Sequence, residues 1–104
     1  MLFWNNYGDV IQYMHNISGG KAMSIIYEPE YRVLIDCLKN CRLRSNMTQQ
    51  ELAMHLGCSQ TYISKYEQGQ KRLDVIEIRK ICLCLGISLV EFISEFEERI
   101  MIGG

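Results

Sequence analysis

The segment LGCSQTYISKYEQG, residues 56–69, puts Gln60, Thr61, Ser64, Lys65 and Gln68 on one side if it is helical, with Tyr62, Ile63 and Tyr66 roughly opposite. That side is a row of amides, hydroxyls and one ammonium, groups whose chemistry is hydrogen bonding. Gln carries an amide donor beside a carbonyl acceptor, the pair that matches N6 and N7 of adenine; Lys donates to O6 and N7 of guanine; the Thr methyl touches the thymine methyl. On an arbitrary helix the same row is merely a solvated face. The elements that carry it have to decide between the two.

Helical signals run from Glu28 onward. Pro29 suits a first helical turn, Glu28 and Glu30 suit its positive end, and Tyr31, Leu34, Leu38 and Cys41 recur with helical period until Ser45-Asn46. Thr48 followed three residues later by Glu51 is a capping-box arrangement, opening a short second helix with Leu52, Ala53 and Leu56 inward and Gly57 at its end. Ser59 caps a third helix, the polar-faced one, which reaches about Gln68 before Gly69 stops it. Asp74 caps a fourth with Ile78, Ile81, Cys82 and Leu85 inward and Gly86 terminal; Ser88 opens a fifth with Leu89, Phe92, Ile93 and Phe96 apolar. No segment of useful length alternates with strand period, and there is no repeat or low-complexity tract. The expected class is all-α.

A chain of 104 residues accommodates one compact core, and 48% hydrophobic with 22% charged residues is ordinary for a folded protein. The net charge of −1 hides an uneven distribution. From Arg32 to Arg72 seven basic residues face three acids, whereas from Glu91 to the end four glutamates face Arg99 alone. A polyanion partner therefore has a local basic footprint to meet, and the acidic end stays away from it. Residues 1–22 differ: Trp4, Tyr7, Val10, Ile11 and Met14 are spaced for an amphipathic helix, followed by Gly19-Gly20. If Gly19-Gly20 is encoded GGA-GGU it is also a bacterial ribosome-binding sequence just ahead of Met23, which would make Met23 an alternative start to Met1.

Five cysteines, an odd number, and no secretory pattern fit a reducing cytosol; no apolar run approaches the ~20 residues of a membrane span. Cys37 with Cys41 and Cys82 with Cys84 are poor metal pairs, because both lie in expected helices and the second pair points about 200° apart. Plain packing is the expectation, with Cys41, Cys58 and Cys82 at apolar positions. His15 and His55 have no Cys, Asp or Glu at ligand or catalytic spacing, and no phosphate loop, nucleophile elbow or paired-carboxylate pattern is present. The chain is not expected to be an enzyme or to need a metal or other cofactor. Glu91, Glu95 and Glu98 are spaced as a solvated acidic face.

The two short helices joined through Gly57-Cys58-Ser59 have the layout of a helix-turn-helix. The run MTQQELAMHLGCSQTYISKYEQGQKRLD resembles the phage repressor and Cro class, the XRE family, through Thr48-Gln49, Glu51-Leu52-Ala53, Leu56-Gly57, Ser59, Ile63-Ser64, Tyr66-Glu67 and Gly69. The resemblance covers roughly residues 28–96. It implies a compact five-helix, lambda-repressor-like DNA-binding domain over 28–96, with an N-terminal extension, 1–27, and a C-terminal tail, 97–104.

It also implies which face meets double-stranded DNA. Gln60, Thr61, Ser64 and Lys65 become the base-reading residues. Thr48, Gln49, Gln70, Lys71 and Arg72 become backbone contacts, and Tyr62 either flanks a phosphate or packs on the second helix. Family members often pair the positions of Arg42 and Glu67, which would tie the first helix to the end of the third. A single recognition helix reads few base pairs, so a homodimer on a palindromic operator is expected, with Leu83, parts of Leu89–Ile93 and Ile100-Met101-Ile102 as its surface. The function implied is transcriptional regulation, as a cytoplasmic repressor. A regulatory protein partner is compatible with the absence of room for a sensing domain. The alternative is an antitoxin-like module that uses the same fold to bind protein.

Overall fold

The structure, a computed structural model, describes residues 21–102, with side chains from Pro29 onward. The Trp4–Met14 segment and Gly19-Gly20 lie outside the described residues. Among the described residues five helices follow one another, α1 (Lys21–Arg44), α2 (Gln49–Leu56), α3 (Gln60–Glu67), α4 (Val75–Cys84) and α5 (Leu89–Met101), and there is no strand. Two compact units divide at Tyr31/Arg32. The first contributes the N-terminal part of α1; the second holds everything that follows.

Local rules account for most helix ends. In α2 the Glu51 amide donates to Thr48 Oγ1 at 3.0 Å while the Thr48 amide donates to Glu51 Oε1 at 2.8 Å, so two amides without helical partners are satisfied reciprocally. Asp74 with Glu77 repeats the device at α4, and Ser88 with Glu91 repeats it at α5. α3 is capped from one side only, by the Tyr62 amide donating to Ser59 Oγ. Gly57 ends α2 at φ +72°, a left-handed conformation in which a side chain would be strained.

Two boundaries differ from expectation. α1 begins at Lys21 and carries Pro29 in its interior, so the helix passes residues 27 and 28 without a break. Proline holds φ near the helical value but removes an amide from the ladder and sets its ring against the carbonyl four residues earlier, a cost of about 3 kcal/mol that α1 bears without ending. At the other end α5 continues to Met101, because residues 97–101 keep adding backbone bonds to a helix already anchored by Phe92.

The buried apolar set comprises Ile35, Cys37, Leu38 and Cys41 of α1, Leu52 and Ala53 of α2, and Ile63 and Tyr66 of α3. Leu73, Ile78, Ile81, Cys82, Leu85 and Phe92 complete it. Leu56, read as inward from its spacing, is only half-buried, as are Leu89 and Phe96, and Ile93 is exposed. Cys58 is also only half-buried, because it sits in the turn between α2 and α3. Helix pairs α2–α3, α2–α4 and α4–α5 pack together. No described helix is long and apolar enough to cross a membrane, and no described group of three His, Cys, Asp or Glu could hold a metal ion. Burial pushes the Cys82 thiol up to about 11, as expected of a packed thiol.

Candidate nucleic-acid interface

α3 is held by its buried side. Ile63 and Tyr66 are fully buried, and Glu67 beside them is the one buried carboxylate among the described residues. Its charge is matched by Arg42 of α1: Arg42 Nε donates to Glu67 Oε2 at 2.7 Å and Nη2 to Oε1 at 3.0 Å, with the side chains 8% and 3% exposed. Arg42 Nη1 also donates to the Met47 carbonyl at 2.7 Å. The hydrogen bonds to Glu67 strengthen the Arg42 proton's hold despite burial, which opposes it.

Gln49 extends this network outward. Its Nε2 donates to Glu67 Oε1 at 2.9 Å. An ionised carboxylate only accepts, so Gln49 must turn its amide nitrogen inward and its carbonyl oxygen outward. That oxygen lies 3.4 Å from Gln60 Nε2, the first side chain of α3. A chain of polar contacts thus runs from the buried pair to the exposed start of α3 and fixes the polarity of Gln49.

With the buried side fixed, the opposite side is set. Gln60, Thr61 and Lys65 are exposed; Ser64 is half-buried, its hydroxyl accepting from Gln68 Nε2 at 3.3 Å. Thr48 uses its side chain as the α2 cap. Gln70 and Arg72 are exposed on the turn after α3, where the Gln70 amide donates to the Lys65 carbonyl at 2.8 Å. Tyr62 turns toward α4. Its hydroxyl donates to Glu77 Oε2 at 2.7 Å, its ring meets that of Tyr66 edge-on, and Lys71 Nζ lies 5.5 Å from its ring centroid and 3.8 Å from the same Glu77 oxygen. Burial, reinforced by the Glu77 carboxylate, raises the Tyr62 hydroxyl far above its ordinary range.

Two participants carry no role from spacing, and a third has a different one. Arg32 Nη2 donates to the Gln68 carbonyl at 3.0 Å, at the end of α3, and Nη1 lies 3.4 Å from the Glu67 carbonyl. Glu77 gathers Tyr62 and Lys71 onto the α4 cap. Glu95, expected on a solvated face, instead accepts from Arg44 Nη2 at 2.9 and 3.2 Å and faces Cys41. Asp74 was visible as a cap, and the matching Glu77 three residues on was the available signal; the two arginines had none.

Comparison with known proteins follows the same elements. A helix-turn-helix family model matches residues 38–92. An uncharacterized HTH-type transcriptional regulator from Sinorhizobium fredii, y4dJ, is 33% identical over 57 residues, covering 55% of this chain and 74% of that protein. The control protein C.MunI from Mycoplasma is 29% identical over 55 residues, covering 53% and 74%. Among solved structures, an XRE-family like protein from Pseudomonas syringae pv. tomato superposes with a TM-score of 0.71 at 35% identity, over 77% of this chain and 98% of that one. The wild-type restriction-modification controller protein C.Esp1396I superposes with a TM-score of 0.65 at 28% identity, over 69% and 95%. With the α2–turn–α3 geometry, its exposed polar row and a family match across more than half its length, the chain belongs to the XRE-type helix-turn-helix family of DNA-binding transcriptional regulators.

Proposed function

We propose that the protein is a repressor that binds a palindromic operator as a homodimer, with α3 in the major groove of each half-site. Gln60, Thr61, Ser64 and Lys65 read base edges; Thr48, Gln49, Gln70, Lys71 and Arg72 meet the sugar-phosphate backbone, Gln49 through its main-chain amide at the start of α2 because its outward side-chain oxygen cannot donate to a phosphate, and Tyr62 acts by holding Lys71 beside Glu77. The observation that carries this reading is the outward row of α3, kept in place by Ile63, Tyr66 and the buried Arg42–Glu67 pair. Dimerisation is supported by apolar side chains left outside the core on α4 and α5: Leu83, Val90, Met101 and Ile102 are all more than half exposed. Similarity to a transcriptional regulator and to control and controller proteins supports a role in controlling gene expression, and repression is the outcome of a bound dimer occluding a promoter.

The test selects duplexes from fragmented genomic DNA and measures binding by fluorescence anisotropy over a salt series. Gln60→Ala is expected to lose about 1–3 kcal/mol on the selected operator and to relax base preference. Lys71→Ala is expected to weaken operator and random duplex alike and make the salt slope shallower by about one unit. The operator complex should hold two chains, and a duplex with one half-site should bind far more weakly. Equal losses on operator and random DNA for both variants contradict the assigned roles. Failure to bind any duplex, with tight binding to a companion protein, favours the antitoxin-like alternative.

A further inference from the structure

We infer that Arg32 is a positioning residue for DNA binding, which pins the exit of the recognition helix so that the Gln70–Arg72 turn meets the phosphate backbone from a fixed direction. The inference rests on the proposed backbone role of that turn. The last carbonyls of a helix have no amide partner and carry its negative partial charge. At the end of α3 the Glu67 and Gln68 carbonyls face the Arg32 guanidinium, at 3.4 and 3.0 Å from Nη1 and Nη2. The two arms of a planar fork thus address two successive carbonyls, a geometry that a lysine ammonium does not reproduce. Asp36, one turn further along α1, lies 3.9 Å from Nη1 and helps aim the fork.

Gly69 completes the arrangement. It adopts φ +77°, and a Cβ built there would lie 3.0 Å from Arg32 Nη2. The left-handed backbone favours glycine here, and a side chain would also push the guanidinium aside by a few tenths of an ångström. The chain reverses here and leads directly into Gln70, Lys71 and Arg72. Arg42 secures the same helix end through the Glu67 side chain, deep in the protein. Arg32 secures it through the main chain, at the surface, where its side chain is 51% exposed. The buried pin fixes the helix; the surface pin fixes the turn that leaves it.

Arg32→Gln and Arg32→Lys are measured alongside Lys71→Ala and the double variant Arg32→Gln/Lys71→Ala, on operator and random duplex over a salt series, with thermal unfolding of the free proteins. Both Arg32 variants are expected to bind about two- to fivefold more weakly on either duplex, the factor corresponding to one helix-terminus cation. Their salt slope stays that of the parent, and their unfolding midpoint falls only by the few degrees that one helix-terminus cation is worth. In the Lys71→Ala background the Arg32→Gln effect shrinks, because the turn it aims has lost its contact. Rescue by Arg32→Lys together with a slope in the Arg32→Gln variant shallower by about 0.9 would identify a direct phosphate contact and overturn the inference. Unchanged affinity, or strictly additive losses, overturns it as well. If Lys71→Ala itself binds DNA like the parent, the backbone role of the turn fails first, independently of Arg32.

Discussion

Replacing Glu67 by alanine removes the acceptor of two Arg42 hydrogen bonds, at 2.7 and 3.0 Å, and of the Gln49 bond at 2.9 Å. Arg42 keeps its bond to the Met47 carbonyl, yet its charge is left in a site where its side chain is only 8% exposed. Breaking one side of such a buried pair costs about 3–5 kcal/mol, because the surviving ion has lost solvent and partner together. An exposed pair costs less than ~1 kcal/mol, so the two cases separate clearly. With an m-value of about 1.5 kcal/mol/M, a loss of about 3 kcal/mol moves the urea midpoint down by roughly 2 M. The control is the double replacement Arg42→Met/Glu67→Leu, which removes both charges and restores apolar contact; it should recover most of the loss. Equilibrium urea melts followed by circular dichroism make both measurements. A Glu67→Ala protein within about 1 kcal/mol of the parent, or a double variant no more stable than the single one, refutes the claim that this pair acts as a desolvated unit.

Acid stability should respond to Glu77, whose carboxyl is held below its usual 4.5 first by the backbone hydrogen bond from Asp74 and then by the Tyr62 hydroxyl. Because the folded value is the lower one, its contribution is fully present above about pH 4.5 and fades as pH falls through the folded value. Glu77→Gln keeps the capping bond without titrating, so urea midpoints measured from about pH 6 down to about pH 3 should fall less steeply than the parent's; equal slopes contradict the assignment. Tyr66 carries a buried hydroxyl with no hydrogen-bond partner among the described residues. Tyr66→Phe deletes that group without changing the ring, and should be neutral or stabilising by up to ~1 kcal/mol in the same melts, whereas a loss above that would reveal a hydrogen bond.

The helix-turn-helix was legible because its signals are local. Thr48 with Glu51, Gly57, Ser59 and Gly69 each act within a turn of the position they mark, and every one lies where its backbone conformation requires it. The start of α1 misled for the same reason. Pro29 is a local sign of a helix start, but the upstream residues continue the helix through it. Ile35 and Cys37 escaped because the buried stripe of α1 is offset from the Tyr31, Leu34, Leu38, Cys41 row, in which Tyr31 and Leu34 are only half-buried. Partners distant in sequence were invisible to periodicity. Arg32 with Gln68 and Arg44 with Glu95 are separated by 36 and 51 residues, and nothing in their spacing joins them. Arg42 and Glu67 lie 25 residues apart, and only the family resemblance brought them together in advance.

Three of the helices begin with a glutamate folded back onto the residue that caps them, whereas α3 has Tyr62 at that place and no acid in its first turn. A chain selected for folding alone would gain from an anion there, since it would complete the cap and sit against the positive end of the helix. At residue 62, however, an acid would take the place of the ring that meets Tyr66 edge-on and of the hydroxyl that donates to Glu77, and would stand near the Glu77 carboxylate. The missing carboxylate therefore marks a place where packing between neighbouring helices outweighs a cap, and stabilising substitutions drawn from helix-capping rules should be kept off residue 62 when the protein is engineered for heat resistance.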